Sequence, residues 1–313
     1  MCKRISRSNR LELEKNVSLV VVDLATIYYR AFYSLPDTFV APNGLPVNAV
    51  RGTLDALMHF SKQYKPSNLI TCWDFDWRPQ WRVDLIDTYK TARVASEDEE
   101  QMPDSLGEQV DLIWEILNEL GIPAVGLDGF ESDDLVAHFS KTGPTPTFIV
   151  SGDRDLFQLI DDDLGRTVLY IGTGIAKHTI ADNKYIFNRF GILPHQYVDY
   201  SVMRGDASDG LPGVKGIGEK TATNLLKEFA DMKQILAAAK TSHTSIKPRI
   251  AASLLEHKDY IKSADKVVRL DRKLKVETPF IDWENLGHSQ TLDNLGLEKY
   301  NGLWKKTAAK VVS

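Results

Sequence analysis

The feature that most constrains this chain is a repeated one: short apolar runs that each stop at an aspartate. Residues 17–22 (VSLVVV) precede Asp23, residues 68–73 (NLITCW) precede Asp74, and residues 147–150 (TFIV) precede Ser151-Gly152-Asp153, with Asp155 two positions on. A fourth run covers 167–171 (TVLYI). Unbroken β-branched runs of this length mark strands covered on both faces. Helical patterns at 49–64, 106–120 and 133–141 lie between them, and such alternation predicts a parallel sheet flanked by helices. Near residue 190 the pattern changes to short helices joined by glycine turns, at 195–203, 220–229, 233–239, 247–257 and 258–268. The expected organisation is a polar lead-in (1–16), an α/β domain (17–190), a helical domain (191–290) and a tail (291–313).

In an open parallel sheet, ligands bind beyond the carboxyl ends of the strands. Asp23, Asp74, Asp153 and Asp155 are therefore expected on one rim. Two further segments add acids: Glu131, Asp133 and Asp134 at a helix start, and Asp206 and Asp209 three residues apart. Any one of these has an ordinary explanation, since an aspartate after a strand is commonly a helix cap. The triple Asp161-Asp162-Asp163 is read that way, as a solvated turn. Nine carboxylates on one rim, however, repel and raise each other's pKa unless cations are present. Oxygen-only ligands favour Mg²⁺ or Mn²⁺ over zinc, and two such ions side by side suit phosphodiester cleavage.

The net charge of −5 argues weakly against a nucleic-acid partner, but binding responds to local patches rather than to the sum. Between residues 240 and 275 there are ten Lys/Arg against four Asp/Glu, so the charge is segregated. Two cysteines, Cys2 and Cys72, offer neither a disulfide framework nor zinc spacing and suit a reducing cytoplasm. No apolar run approaches eighteen residues, so no membrane partner is expected.

Together these residues resemble the 5′-nuclease family, which includes the nuclease domain of bacterial DNA polymerase I, phage 5′–3′ exonucleases and flap endonucleases. The resemblance rests on Val22-Asp23 with Tyr29-Arg30-Ala31-Phe32, Tyr89-Lys90 with Arg93, and residues 129–134, 151–159 and 205–221, in that order. It runs from about residue 17 to 270, with the segment GDASDGLPGVKGIGEKTA closest to the polymerase I branch, and implies a stand-alone, phage-type form. The implied fold is a PIN-like α/β domain with a central, mostly parallel sheet. A helical arch near 80–105 and a C-terminal helical domain with a helix–three-turn–helix near 200–229 complete it.

The resemblance further implies two Mg²⁺ (or Mn²⁺) ions, one among Asp23, Asp74, Glu131, Asp133 and Asp134, the other among Asp153, Asp155, Asp206 and Asp209. Tyr89, Lys90 and Arg93 would face the scissile phosphate as catalytic residues. Arg82, Gly213, Lys215, Gly216, Gly218, Lys220 and Thr221 would contact DNA. Carbonyls of Met203, Arg204, Pro212, Val214 and Ile217 would hold K⁺. The implied protein is a cytoplasmic monomer acting in replication or repair on DNA with 5′ ends or flaps, leaving 5′-phosphate and 3′-hydroxyl ends. Leu24, Arg51 and Gly210 depart from the family pattern, as does the Asp74–Arg82 spacing, which bears on substrate preference. A catalytically silent DNA-binding protein and a PIN-like ribonuclease are the competing readings.

Overall fold

The computed structural model describes residues 18–96 and 99–313; the lead-in over 1–16 lies outside them. Five strands run parallel and a sixth antiparallel in the order β5-β2-β1-β6-β7-β8. They are β1 (Leu19–Asp23), β2 (Asn68–Cys72), β5 (Ala124–Val125), β6 (Thr147–Ser151), β7 (Arg166–Tyr170) and β8 (Thr179–Ala181). The short β5 and β8 escape a reading based on apolar runs because they hold only two and three residues.

The interior of β1 is apolar at every position because both of its faces are covered. Leu19 and Val21 join one core, whereas Val20 and Val22 join the other, and all four are fully buried. Register then fixes the rim. Asp23 pairs with Cys72 on one side, and Val22 pairs with Val150 on the other. The residues that leave these strands, Asp23, Asp74 and Asp153, therefore emerge at one level. Chain order also reverses at β1, since β2 and β5 lie to one side and β6 and β7 to the other. That reversal is the usual place for a ligand crevice.

Helices α1 (Leu24–Ser34), α2 (Asn48–Tyr64) and α4 (Asp104–Leu120) share one core with the even-numbered residues of β1. Leu24, one of the departures from the family pattern, is fully buried in that core as the first residue of α1. On the other face, α5 (Ser132–Thr142) and the helices of the C-terminal domain share a second core with the odd-numbered residues. Alongside α5 in that core is α6 (Asn183–Phe190), and the C-terminal helices are α7 (Tyr197–Arg204), α8 (Glu219–Glu228), α9 (Met232–Lys240), α10 (Pro248–Glu256) and α11 (Lys258–Val268).

Two regions differ from expectation. The helical arch expected near 80–105 is instead α3 (Gln80–Leu85), a 3₁₀ turn at Thr91–Arg93 and an antiparallel pair, β3 (Val94–Ser96) with β4 (Glu99–Glu100). Lys90 sits in the left-handed region at φ 49°, and Pro103 restricts the residue before it. Both interrupt a continuous helix here. The 291–313 segment, expected as a tail, forms α12 (Gln290–Asn294) and α13 (Lys299–Val312) and returns to the N-terminal domain. Trp304 is fully buried against the α2 side of the sheet, and Tyr300 OH donates to Asp55 Oδ1 at 3.0 Å. Ahead of it, Trp283 Nε1 donates to Pro66 O at 3.0 Å and Gly287 N to Leu120 O at 3.0 Å.

Trp304→Ala removes the largest fully buried side chain and is expected to cost about 3–5 kcal/mol of stability. Chemical denaturation of the variant measures it; a cost within error of zero would mean that α13 is peripheral.

Candidate active site

Ser132, the first residue of α5, joins the acids of two strands. Its Oγ donates to Asp23 Oδ1 at 3.1 Å, and its backbone N–H donates to Asp74 Oδ1 at 2.6 Å. Ser151, the last residue of β6, donates its hydroxyl to Asp23 Oδ2 at 2.7 Å. Asp153 Oδ1 in turn accepts the Asp155 N–H at 2.7 Å. Neither serine was singled out from the sequence, although small hydroxyls flanking strand-end acids are the available signal.

The charges of these acids act on one another across segments. Burial, followed by the charge of Asp74, pushes Asp23 up to about 7. Burial raises Asp133 well above the carboxylate range, with Asp153 and then Asp23 adding to it. Asp155 is raised in the same way by burial, then by Asp153, Asp209 and Asp206. Asp209 rises to about 6, chiefly from burial and against the pull of Lys90. Acids from five stretches of sequence thus meet at one place, with Asp133 between the Asp23 side and the Asp153 side.

The nine expected ligands differ in what neutralises them. Glu131 and Asp134 form an inner layer set apart by its cations; they are 3% and 2% exposed, and Asp23 is as inaccessible at 2%. Arg82 Nη1 lies 3.1 Å from Glu131 Oε1 and 2.9 Å from Asp134 Oδ2, and Tyr89 OH donates to Glu131 Oε1 at 2.8 Å. Lys90 Nζ pairs with Glu131 Oε2 and also donates to Trp77 O at 3.1 Å. Lys90 and Arg82 hold Glu131 below its ordinary value although burial works the other way. Asp206 is also satisfied locally, by Arg204 Nη2 at 3.0 Å and by the Ser208 N–H and hydroxyl at 2.9 and 2.6 Å. Asp133 and Asp155, by contrast, have no hydrogen bond or ion pair for their carboxylates among the described residues.

Arg82 corrects an expectation. A residue 2% exposed, paired with two buried carboxylates and with Val267 O at 3.3 Å, is out of reach of a phosphate. Its guanidinium instead offsets the inner acids, together with the Lys90 ammonium on Glu131. Tyr89 and Lys90 are also buried, at 4% and 7% exposed, and point at Glu131 rather than lying on a solvated helix. Arg93 is more open and reaches Asp209 Oδ1 at 2.8 Å.

Beside the rim an open cleft of about 770 Å³ is lined by Asp153, Arg154, Asp155, Arg204, Asp206 and Pro212, among others. Arg154 was not anticipated, because an arginine between two aspartates reads as a surface pair. Beyond the cleft lies the glycine-rich turn. Gly213 and Gly216 take left-handed φ of 73° and 82°, and a Cβ on Gly213 would lie 2.5 Å from Arg204 O. Lys215, Gly216, Gly218 and Lys220 are exposed there, and Thr221 is half-buried at the start of α8. Of the carbonyls expected to hold K⁺, Met203 O accepts the Val214 N–H at 2.9 Å and Val214 O accepts the Ile217 N–H at 2.9 Å. Each keeps one lone pair.

The sequence matches the family models described as "5′-3′ exonuclease, N-terminal resolvase-like domain" over residues 18–191 and "5′-3′ exonuclease, C-terminal SAM fold" over 192–291. It is 44% identical over 256 residues to a 5′-3′ exonuclease of Streptomyces coelicolor, covering 80% of this chain and 85% of that one. It is 42% identical over 275 residues to a 5′-3′ exonuclease of Mycobacterium tuberculosis, covering 83% and 86%. Among solved structures, T5 5′-exonuclease with bound zinc ions superposes with a TM-score of 0.64 at 16% identity, over 95% of this chain and 100% of that one. Flap endonuclease-1 from Methanococcus jannaschii gives 0.53 at 16% identity, over 95% and 93%; at such identities the likeness is one of fold.

Fold, rim and relatives together define a nuclease. The chain belongs to the 5′-3′ exonuclease family.

Because Asp23 is protonated more readily in the folded chain, its contribution to stability is complete below the ordinary 3.8 and is lost as pH rises through about 7. Asp23→Asn is therefore expected to be more stable than the parent at pH 8 in EDTA, by up to about 4 kcal/mol, and no more stable at pH 4. Thermal melts across that range check the sign.

Proposed function

We propose that this nuclease hydrolyses DNA at 5′ ends and 5′ flaps with two divalent ions, Mg²⁺ or Mn²⁺, leaving 5′-phosphate and 3′-hydroxyl ends. The observation that carries the reading is the pair Asp133 and Asp155, raised carboxylates in a rim of other acids with no hydrogen bond or ion pair among the described residues. Among the described residues no group of three or more His, Cys, Asp or Glu side chains is set to hold a metal ion as it stands. The donor set is all oxygen, as hard divalent ions require. Asp23, Asp74 and Asp133 would hold one ion and Asp153, Asp155 and Asp209 the other, with Asp133 between them. Glu131, Asp134 and Asp206 would support from behind. Such ions lower the pKa of water and stabilise charge on the attacked and leaving oxygens.

The chain's own residues do the rest. Arg82 and Glu131 fix Lys90 and Tyr89 at the inner wall, so that both are oriented before substrate arrives. Burial lowers Lys90, but Glu131 outweighs it and keeps the ammonium charged, a fixed positive charge for a phosphate in flight. Arg93 and Arg154 stand at the outer edge, where a strand backbone would approach. The exposed Lys215 and Lys220, with the free N–H groups at the start of α8, suit duplex phosphates, which are gripped without reading sequence. A K⁺ ion on the remaining lone pairs near Met203 and Val214 would stiffen that turn. The protein would act as a monomer.

A 5′-labelled flap, incubated with and without Mg²⁺, tests the reading directly: short labelled products are expected only with the metal, and an RNA flap of the same shape should be cut poorly. Asp153→Asn is expected to abolish cleavage while DNA binding, followed by anisotropy, survives; normal cleavage by this variant would contradict the metal assignment. Lys90→Ala is expected to lower single-turnover cleavage by roughly 10²–10³-fold with little change in Kd. A loss confined to Kd would make Lys90 a binding residue only.

A further inference from the structure

Gln158 lies in the short 3₁₀ helix Asp155–Leu159, whose first residue is Asp155. Its amide is spent entirely on main chain. Nε2 donates to Asp155 O at 2.8 Å and to Val268 O at 3.0 Å, and Oε1 accepts the Leu270 N–H at 2.9 Å. The orientation is forced, because a reversed amide would set its oxygen against two carbonyls and its nitrogen against an N–H. Gln158 thus fastens the turn bearing Asp155 to the C-terminal end of α11. Two more side chains hold the same stretch, since Arg82 Nε donates to Val267 O and Lys141 Nζ to Leu270 O. Three separate elements of the N-terminal domain therefore grip one end of one helix.

The same helix is tied to the glycine-rich turn through Tyr260. This residue stands eight positions before Val268, about 12 Å away along the helix axis at 1.5 Å per residue. Its hydroxyl accepts the Gly213 N–H at 2.9 Å and donates to Val202 O at 3.2 Å. Gly213 belongs to the turn that carries the exposed Lys215 and leads to Lys220. One rigid rod of backbone therefore runs from the turn suited to duplex phosphates to the turn that presents Asp155. Both of its ends are fixed by side chain to main chain hydrogen bonds, which set distance and direction where apolar packing alone would tolerate sliding.

We propose that Gln158 is a positioning residue for cleavage: through α11 it holds Asp155 at a fixed distance from the duplex-gripping turn and so selects which phosphate along the strand is cut. The proposal rests on the nuclease reading above and deepens it. Gln158 touches neither substrate nor cation; it acts through Asp155 at one end of the rod, as Tyr260 acts through Gly213 towards the other.

Product lengths from a 5′-labelled flap read the interval directly. The parent is expected to give one dominant product. Gln158→Met keeps the length of the side chain but none of its three bonds; it should spread the cuts over neighbouring phosphates and lower kcat by up to about 10²-fold, with KM little changed. Gln158→Glu can still accept from Leu270 but cannot donate to the two carbonyls, and should behave alike. Tyr260→Phe frees the other end and should also spread the cuts, and the double variant should be no broader than the broader single one. Tyr300→Phe, which loses a comparable hydroxyl bond to Asp55 on α13, should cut where the parent cuts. A single product at the parent position from Gln158→Met, additive spreading in the double variant, or equal spreading by Tyr300→Phe would overturn the proposal. Hydrogen exchange in EDTA reads the fastening without cleavage: amides at 155–160 and 266–272 should exchange faster in Gln158→Met, and unchanged exchange would overturn it too. If the parent cuts no flap at all, the nuclease reading fails instead, and exchange alone decides whether Gln158 joins the two segments.

Discussion

Like charges crowded at the carboxyl edge of one sheet set the terms for the rest of this structure. Two carboxylates about 4 Å apart repel by about 4 kcal/mol at the effective dielectric of a protein surface, and here acids arrive from five segments. The chain handles them unevenly. Asp23 is held by two serine hydroxyls, and Glu131 and Asp134 are neutralised by Arg82 and Lys90. Asp133 and Asp155 are left with neither. A rim whose inner layer is satisfied and whose outer layer is not has its repulsion concentrated where a cation could relieve it.

Such crowding survives only on a rigid support. The sheet gives it through β1, buried on both faces, and each face is covered by a different part of the chain. The C-terminal domain packs on one core, and the last two helices pack on the other. The strand that carries Asp23 is thereby clamped between elements far away in sequence.

Much of this was legible in the residues themselves. Apolar runs ending in aspartate gave the sheet and its rim, because burial on both faces leaves a strong compositional trace. The glycine turn at 213–218 was equally readable, since left-handed backbone selects glycine. What escaped depends on contacts between distant segments. Nothing local to Arg82 distinguishes a phosphate ligand from a buried counter-ion; only the arrival of Glu131 and Asp134 decides it. The 291–313 segment reads as a tail, and although its apolar pair Leu303-Trp304 suits packing back on the body, the receptor, the α2 side of the sheet, lies some 250 residues earlier. The arch was expected by resemblance, and the left-handed Lys90 that interrupts a helix there has no clear sequence signature. Ser132 and Ser151 were overlooked because small hydroxyls are common at helix starts and strand ends.

Gly210, noted as a departure in the sequence, turns out to be a point of closest approach. A Cβ there would lie 1.9 Å from Thr88 O, Thr88 Oγ1 donates to Gly210 O at 2.6 Å, and the Lys90 N–H donates to Asp209 O at 3.1 Å. The loop bearing Lys90 is in this way stitched, by one main-chain bond and one threonine hydroxyl, to the loop that leads into the glycine-rich turn. On the proposed reading, the surface that holds the double helix and the ammonium that meets the cut phosphate are set a constant interval apart. The molecule then works as a caliper, whose opening is a length of its own backbone and not a property of the sequence it cuts.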